Sequence, residues 1–158
     1  MRNVLTLAQA LDQRAYLRQQ GKTLVFTNGH FDLLHVGHLD YLEKARALGD
    51  KLFVGINGDA STEALKGPGR PIIPAQERAR LLGALWCVDG AIIFDETTAT
   101  RVIETLQPDI YVKGSDYRDK PLPERPTVER YGGQVVLMDL VPERSTTALI
   151  ARIRTVPE

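Results

Sequence analysis

Short apolar runs alternate with amphipathic stretches along almost all of this chain. The runs are "KTLVFTN" (22–28), "KLFVGIN" (51–57), "GAIIFD" (90–95), "DIYVKG" (109–114) and "QVVLMDL" (134–140). Runs this short, rich in Val, Ile and Phe, read as strands buried on both faces. The stretches between them carry a helical period. "VGHLDYLEKARAL" (36–48) repeats Leu39, Leu42, Ala45 and Leu48 on one face and closes on Gly49. "PAQERARLLGALW" (74–86) opens with a proline in its first turn, "TATRVIETL" (98–106) stops at Pro108, and "STTALIARIR" (145–154) has Ser145 available as its cap. A further helix precedes the first strand, with Thr6 and Gln9 spaced as a capping box and Gly21 at its end. Strand and helix taking turns predict an α/β fold. We expect a Rossmann-like, doubly wound sheet of about five parallel strands with helices on both faces.

The chain has 158 residues, which suits one domain over 1–158, with its motif-bearing core at 22–154. Lys+Arg and Asp+Glu balance at 20 each, which argues against general nucleic-acid binding, where affinity comes from excess positive charge. The single cysteine, Cys87, excludes an internal disulfide framework and a cysteine-rich zinc site. With Trp86 it ends an apolar helix, so both are expected in the core. No apolar run approaches the roughly 20 residues that span a bilayer. The N-terminal stretch is interrupted by Asp12 and Arg14 and makes a poor signal peptide. A cytoplasmic protein is expected.

Two stretches break the alternation: "GDASTEALKGPGRPI" (58–72), rich in Gly and Pro, and "SDYRDKPLPERPTVERYGG" (115–133), charged and rich in Pro. We read both as long loops, functional or mobile. Both follow strands, so both should emerge at the carboxyl edge of the sheet, where open α/β folds bind ligands.

All three histidines, His30, His35 and His38, fall within nine residues after the first strand. His35 and His38 are spaced to share one face of a helix start. A helix N-terminus offers unpaired N–H groups and a positive partial charge, so the pair suits a phosphate. Gly37 between them removes a side chain where a ligand would approach. Zinc is a rival, with Asp32 as a third ligand, but the i, i+4 spacing of zinc hydrolases is missing. Helix-start histidines satisfied by local hydrogen bonds are the other reading.

Here the sequence resembles the nucleotidyltransferases with a cytidylyltransferase-like fold. "FDLLHVGHLDYL" is similar to their H-x-G-H signature, and "RSTTALI" to their I-S-T-T segment. "LKGPGRPIIPAQERARLLGAL", "VDGAIIF" and "PDIYVKGSDY" lie between them in the family's order. Among subgroups, the adenylyltransferase domain of heptose-phosphate kinase/adenylyltransferases is the most alike. The resemblance implies transfer of AMP from ATP to a sugar 1-phosphate, heptose 1-phosphate foremost, with pyrophosphate released. The alternatives are another nucleotide or acceptor, such as CTP with glycerol 3-phosphate or ATP with FMN, and a nucleotide-binding module without catalysis.

By that likeness His35, His38 and Lys66 are the catalytic candidates. The histidines would bind the triphosphate and steady the transition state; Lys66, from the first long loop, would close on the α-phosphate. Thr27, Asn28, Gly29, His30 and Phe31 would form the turn over the phosphates. Asp32 would hold a histidine or the loop, or else cap the helix. Arg78, with Arg80 as a neighbouring alternative, would stand near the phosphates. Lys113, Gly114 and Asp116 would meet the nucleoside, and Ser145, Thr146 and Thr147 would offer a second phosphate-binding helix end. Arg70 is a candidate for the acceptor's phosphate. The implied cofactor is Mg2+ travelling with the triphosphate, with no metal held by protein ligands. Small-molecule partners, a homodimer through the first helix and a separate sugar kinase complete the expectation. His30 departs from the family's common Cys or Thr and would add a third cation, and Ser115 replaces a common Gly.

Overall fold

A computed structural model describes residues 3–157. Five strands, β1 (Leu24–Gly29), β2 (Lys51–Asn57), β3 (Gly90–Phe94), β4 (Ile110–Gly114) and β5 (Gln134–Met138), form one sheet in the order β3-β2-β1-β4-β5. All four neighbouring pairs are parallel. The helices are α1 (Leu7–Gln19), α2 (Val36–Arg46), α3 (Asp59–Lys66), α4 (Ala75–Gly83), α5 (Thr100–Leu106), α6 (Arg125–Arg130) and α7 (Thr146–Ile153). The expected α/β architecture is therefore the observed one.

Consecutive strand residues serve opposite faces, as the pleat requires. Leu24 and Phe26 join α1, α5 and α6 in one core, through Ala10, Leu17, Ile103, Leu106 and Val128. Val25 points the other way, to Leu42 and Ala45 of α2 and to Ala79 and Leu82 of α4. Burial on both sides is why the strands read as unbroken apolar runs. Helices α3 and α7 contribute to neither core.

The chain order reverses at β1, which lies between β2 and β4. Connections leave β1 and β4 toward opposite sides there, so a crevice opens at the carboxyl ends of these strands. Arg14 locks the other end of the sheet. It is 2% exposed and grips Asp109 bidentately at 2.9 Å, while Asp109 also accepts from Leu24 N–H at 2.7 Å.

Three local expectations need correction. The stretch 58–72 is not one loop: Asp59–Lys66 is helical, and Gly67, at φ 96°, ends it. "DASTEALK" carries a helix-forming sequence with an acid in its first turn, which the glycines and prolines on either side disguise. The stretch 115–133 likewise folds into a short 3-10 helix (Ser115–Arg118) and α6, whose first turn accommodates a proline. Trp86 is 75% exposed and donates to Glu43 at 3.1 Å, whereas Cys87 beside it is buried. Helix α4 stops at Gly83, so Trp86 falls outside the register that would have turned it inward.

Candidate active site

The turn from β1 into α2 is unusually constrained. Phe31 and Leu33 both have positive φ, near 50°, a region that residues with a Cβ seldom occupy. Asp32 between them is fully buried. Its carboxylate accepts from Ile72 N–H at 2.8 Å, Ile73 N–H at 2.9 Å and Arg70 Nε at 3.0 Å, and its carbonyl accepts from the Thr146 hydroxyl at 2.7 Å. One residue thus ties together the β1–α2 turn, the loop after α3 and the start of α7. Burial opposes the charge on Asp32, but the two backbone N–H groups and Arg70 outweigh it and hold the carboxyl below its ordinary range. The role left open between loop holder and helix cap is settled locally: Asp32 holds the loop, and His35 caps α2.

His35 caps through its ring. Its Nδ1 accepts from Gly37 N–H at 3.1 Å, and His38 Nδ1 accepts from His35 N–H at 3.3 Å. An imidazole that accepts at Nδ1 carries its hydrogen on Nε2. Both rings therefore present an Nε2–H donor, and they stack with centroids 3.9 Å apart. His35 Nε2 is buried with no partner. Burial, reinforced by His35, lowers the pKa of His38 to about 4; burial and then Arg144 lower that of His35. At neutral pH the pair is uncharged. Gly37 lines the cavity, and its own neighbours add a second reason for a glycine there. A Cβ there would lie 2.9 Å from the His35 ring and 2.9 Å from Arg144 Cβ, so the space belongs to the protein's own side chains.

Both rings line a cavity of about 330 Å3 at the carboxyl edge of the sheet. Lys66 enters it from the last turn of α3, not from a loop. Lys113 enters from β4, donating to Asn28 C=O at 3.1 Å beside the Tyr117 ring; burial draws its pKa down, against the pull of Glu124 and Asp116. Arg70 and Arg144 complete the cationic lining. Ser145 caps α7, accepting from Ala148 N–H at 3.0 Å, and Thr146 and Thr147 follow it on the wall. Cations, neutral donors and two helix starts make this a cavity for a polyanion.

The comparisons with known proteins agree. The family model described as "Cytidylyltransferase-like" matches residues 26–150. This chain belongs to the cytidylyltransferase-like family. It is a nucleotidyltransferase, and its relatives include proteins named "Bifunctional protein HldE". That of Syntrophotalea carbinolica is 58% identical over 136 residues, 86% of this chain and 28% of the relative. That of Geotalea uraniireducens is 56% identical over 138 residues, 87% of this chain and 28% of the relative. The chain thus spans under a third of the length of these relatives. Among solved structures, a lipopolysaccharide core biosynthesis protein from Thermoplasma volcanium superposes with a TM-score of 0.61 at 29% identity, covering 77% of this chain and 98% of its own. A pantoate-beta-alanine ligase from Francisella tularensis superposes at 0.61 with 13% identity over 93% of this chain and 69% of its own, a likeness of fold alone.

In this nucleotidyltransferase the cavity gathers Asn28, Gly29, His30, Phe31 and Asp32 from one turn, His35 and His38 from the next, and Lys66, Lys113, Gly114, Asp116, Ser145, Thr146 and Thr147 from elsewhere. Two expected members stay outside it. Thr27 is fully buried, donating to Val112 C=O at 2.8 Å and bonded to Tyr41. Arg78 is also fully buried. It donates to Ile73 C=O, His30 C=O, Asn57 C=O and Asp59, all within 2.9 Å, so it braces the site from beneath. His30 is not a third cation: burial, then Lys66 and other nearby cations, lower its pKa to about 4.

The cavity also includes Arg144, Tyr41, Tyr117, Leu140 and Val141, which sequence reasoning left out. Arg144 had a signal, as a cation directly before a capping serine. Tyr117 closes the quoted "VKGSDY" run. Leu140 and Val141 merely follow a strand, and nothing local distinguishes them. Among the described residues no group of three or more His, Cys, Asp or Glu is arranged to hold a metal ion. Asp32 is saturated by its own bonds, and Asp116 pairs with Lys120 at 2.7 Å. Such a donor set fits Mg2+ carried on triphosphate oxygens and water, not a protein cage.

Proposed function

We propose that this chain transfers AMP from ATP to a sugar 1-phosphate, with heptose 1-phosphate as the preferred acceptor, giving an ADP-sugar and pyrophosphate. The observation that carries this reading is the stacked His35–His38 pair, two neutral rings with hydrogen on Nε2, on the wall of a cavity also lined by Lys66, Lys113, Arg70 and Arg144. The HldE relatives support the choice of reaction, and the "VPERSTT" tail (141–147), which is unlike that of glycerophosphate enzymes, supports the choice of acceptor.

In the reaction, an oxygen of the acceptor's phosphate forms a bond to the α-phosphorus of ATP. The bond from that phosphorus to the bridging oxygen breaks, and pyrophosphate leaves with the electron pair. No covalent enzyme intermediate is needed. Catalysis is then positioning and charge stabilisation. His35 and His38 donate to oxygens on which negative charge grows, and no proton has to leave them first. Lys66, on α3, neutralises the phosphates from one side, and Arg144, before α7, from the other. The helix start at Ser145–Thr147 supplies N–H and hydroxyl donors to the triphosphate. When bound, Mg2+ neutralises and orients the phosphates. The chain acts in the cytoplasm, downstream of an enzyme activity that phosphorylates the sugar.

The test is pyrophosphate release, coupled to pyrophosphatase, with ATP or CTP and a panel of sugar 1-phosphates plus glycerol 3-phosphate and FMN. Release with ATP only when heptose 1-phosphate is present is expected. Preference for CTP, or for glycerol 3-phosphate, would overturn the adenylyl or the sugar assignment respectively.

A further inference from the structure

His30 faces the cavity with a polarity opposite to that of the other histidines. Its Nδ1 lies 2.9 Å from the Thr62 hydroxyl, and that hydroxyl lies 3.3 Å from Asn57 C=O. A hydroxyl has one hydrogen, and a carbonyl only accepts. Both contacts are hydrogen bonds in one arrangement alone: Thr62 donates to Asn57, and His30 donates from Nδ1 to Thr62. The neutral ring then carries its lone pair on Nε2. That nitrogen has no partner among the described residues, and His30 lines the cavity. Burial and the cations around it keep the ring neutral, with a pKa of about 4.

The charged groups that act on His30 from the cavity wall are the cations Lys66, Lys113 and Arg70, and His35 and His38, with hydrogen on Nε2, line the same cavity. The carboxylates on the wall are engaged, Asp32 by the loop after α3 and Asp116 by Lys120. A fully ionised phosphate satisfies the donors and has no hydrogen to offer His30. A hydroxyl does. Position narrows the choice further. Thr62 and Lys66 lie one turn apart on α3, which follows β2, so His30 belongs to the β2 side of the cavity. Gly114, Asp116 and Leu140 wall the β4–β5 side, where the nucleoside is expected. The β2 side is left for the acceptor.

We infer that His30 Nε2 accepts a hydrogen bond from a hydroxyl of the phosphorylated acceptor, the one next to its phosphate, and that His30 thereby sets acceptor specificity in a site whose other side chains read phosphate. The inference rests on the transferase reading above. It makes the histidine at this position a reader of sugar, not of charge.

The test compares heptose 1-phosphate with its 2-deoxy analogue. The wild type should prefer the hydroxyl-bearing acceptor in kcat/KM by about tenfold, the order of one lost hydrogen bond in a dry site. In His30→Leu the preference should fall to within about twofold, because the parent substrate loses more rate than the analogue. His30→Gln, which keeps an acceptor near Nε2, should retain part of it. An unchanged preference in His30→Leu overturns the inference while leaving the transferase reading intact. No pyrophosphate release with any sugar 1-phosphate overturns the reading, and this inference with it. A second measurement does not depend on the variants' folding: 15N shifts of the wild-type imidazoles should place hydrogen on Nδ1 of His30 but on Nε2 of His35 and His38. Hydrogen on Nε2 of His30 overturns the inference.

Discussion

His38 is bonded to the backbone of His35, and the His35 ring is bonded to the backbone of Gly37. Each ring therefore fixes its tautomer through the helix start that carries it. The donors are set by the fold before any ligand arrives, so they need no reorganisation during reaction. That is the condition under which a hydrogen bond acts on a transition state more than on a ground state.

Replacing His38 with Ala should consequently lower kcat by about a hundredfold while changing ATP affinity little. Steady-state kinetics with a separate ATP-binding measurement distinguish this from a binding contact, for which both quantities would fall together.

Two of the three histidines link stability to pH. His30 and His38 have folded-state pKa values of about 4, against an ordinary 6.5. Between those values the unfolded chain binds more protons than the folded one, so stability falls as pH drops from 6.5 toward 4 and is flat above. Calorimetry should show Tm lower by several degrees at pH 5 than at pH 7, and the His38→Asn variant should lose part of that difference.

Gly37→Ala places a methyl group against the His35 ring and Arg144. The ring must leave its stacked position, so activity should drop at least tenfold, by analogy with a lost transition-state donor. Alanine is otherwise a good helix residue, so Tm should change little. A wild-type rate for this variant would mean that the stack is not needed.

Lys66 lies at the exposed end of α3, and its side chain supports no core. Lys66→Ala should cost turnover while leaving Tm nearly unchanged. Lys66→Arg should recover only part, because a planar fork replaces a point charge. Arg78→Ala should do the reverse and lower stability by about 3 kcal/mol or more in chemical denaturation, since four buried or half-buried acceptors lose their donor.

The sequence made the sheet legible because strands buried on both faces are conspicuous, and it made the cavity legible where motifs cluster, at 28–38, 113–116 and 145–147. It failed where meaning depends on distant partners. Arg78 and Lys66 look alike as cations in a row of motifs, yet one is sealed under the turn and the other is open to solvent. Nothing local reveals that His30 C=O and Asp59 surround the first. The charge state of the histidines was hidden for the same reason, since it follows from burial and from which nitrogen the backbone occupies.

Helix α7 buries none of its side chains, although Ser145, Thr146 and Thr147 at its start wall the cavity. Its tie to the turn below runs from the Thr146 hydroxyl to a backbone carbonyl, which asks nothing of the other residues in the helix. Beyond Thr146 only Leu149 and Ile150 of α7 are half-buried, and none of its residues joins either core, so most mutations along it put little packing at risk. Over evolutionary time this wall can be rewritten at little cost to folding, while Asp32, bound to the loop after α3 and to a helix start, is held to its identity.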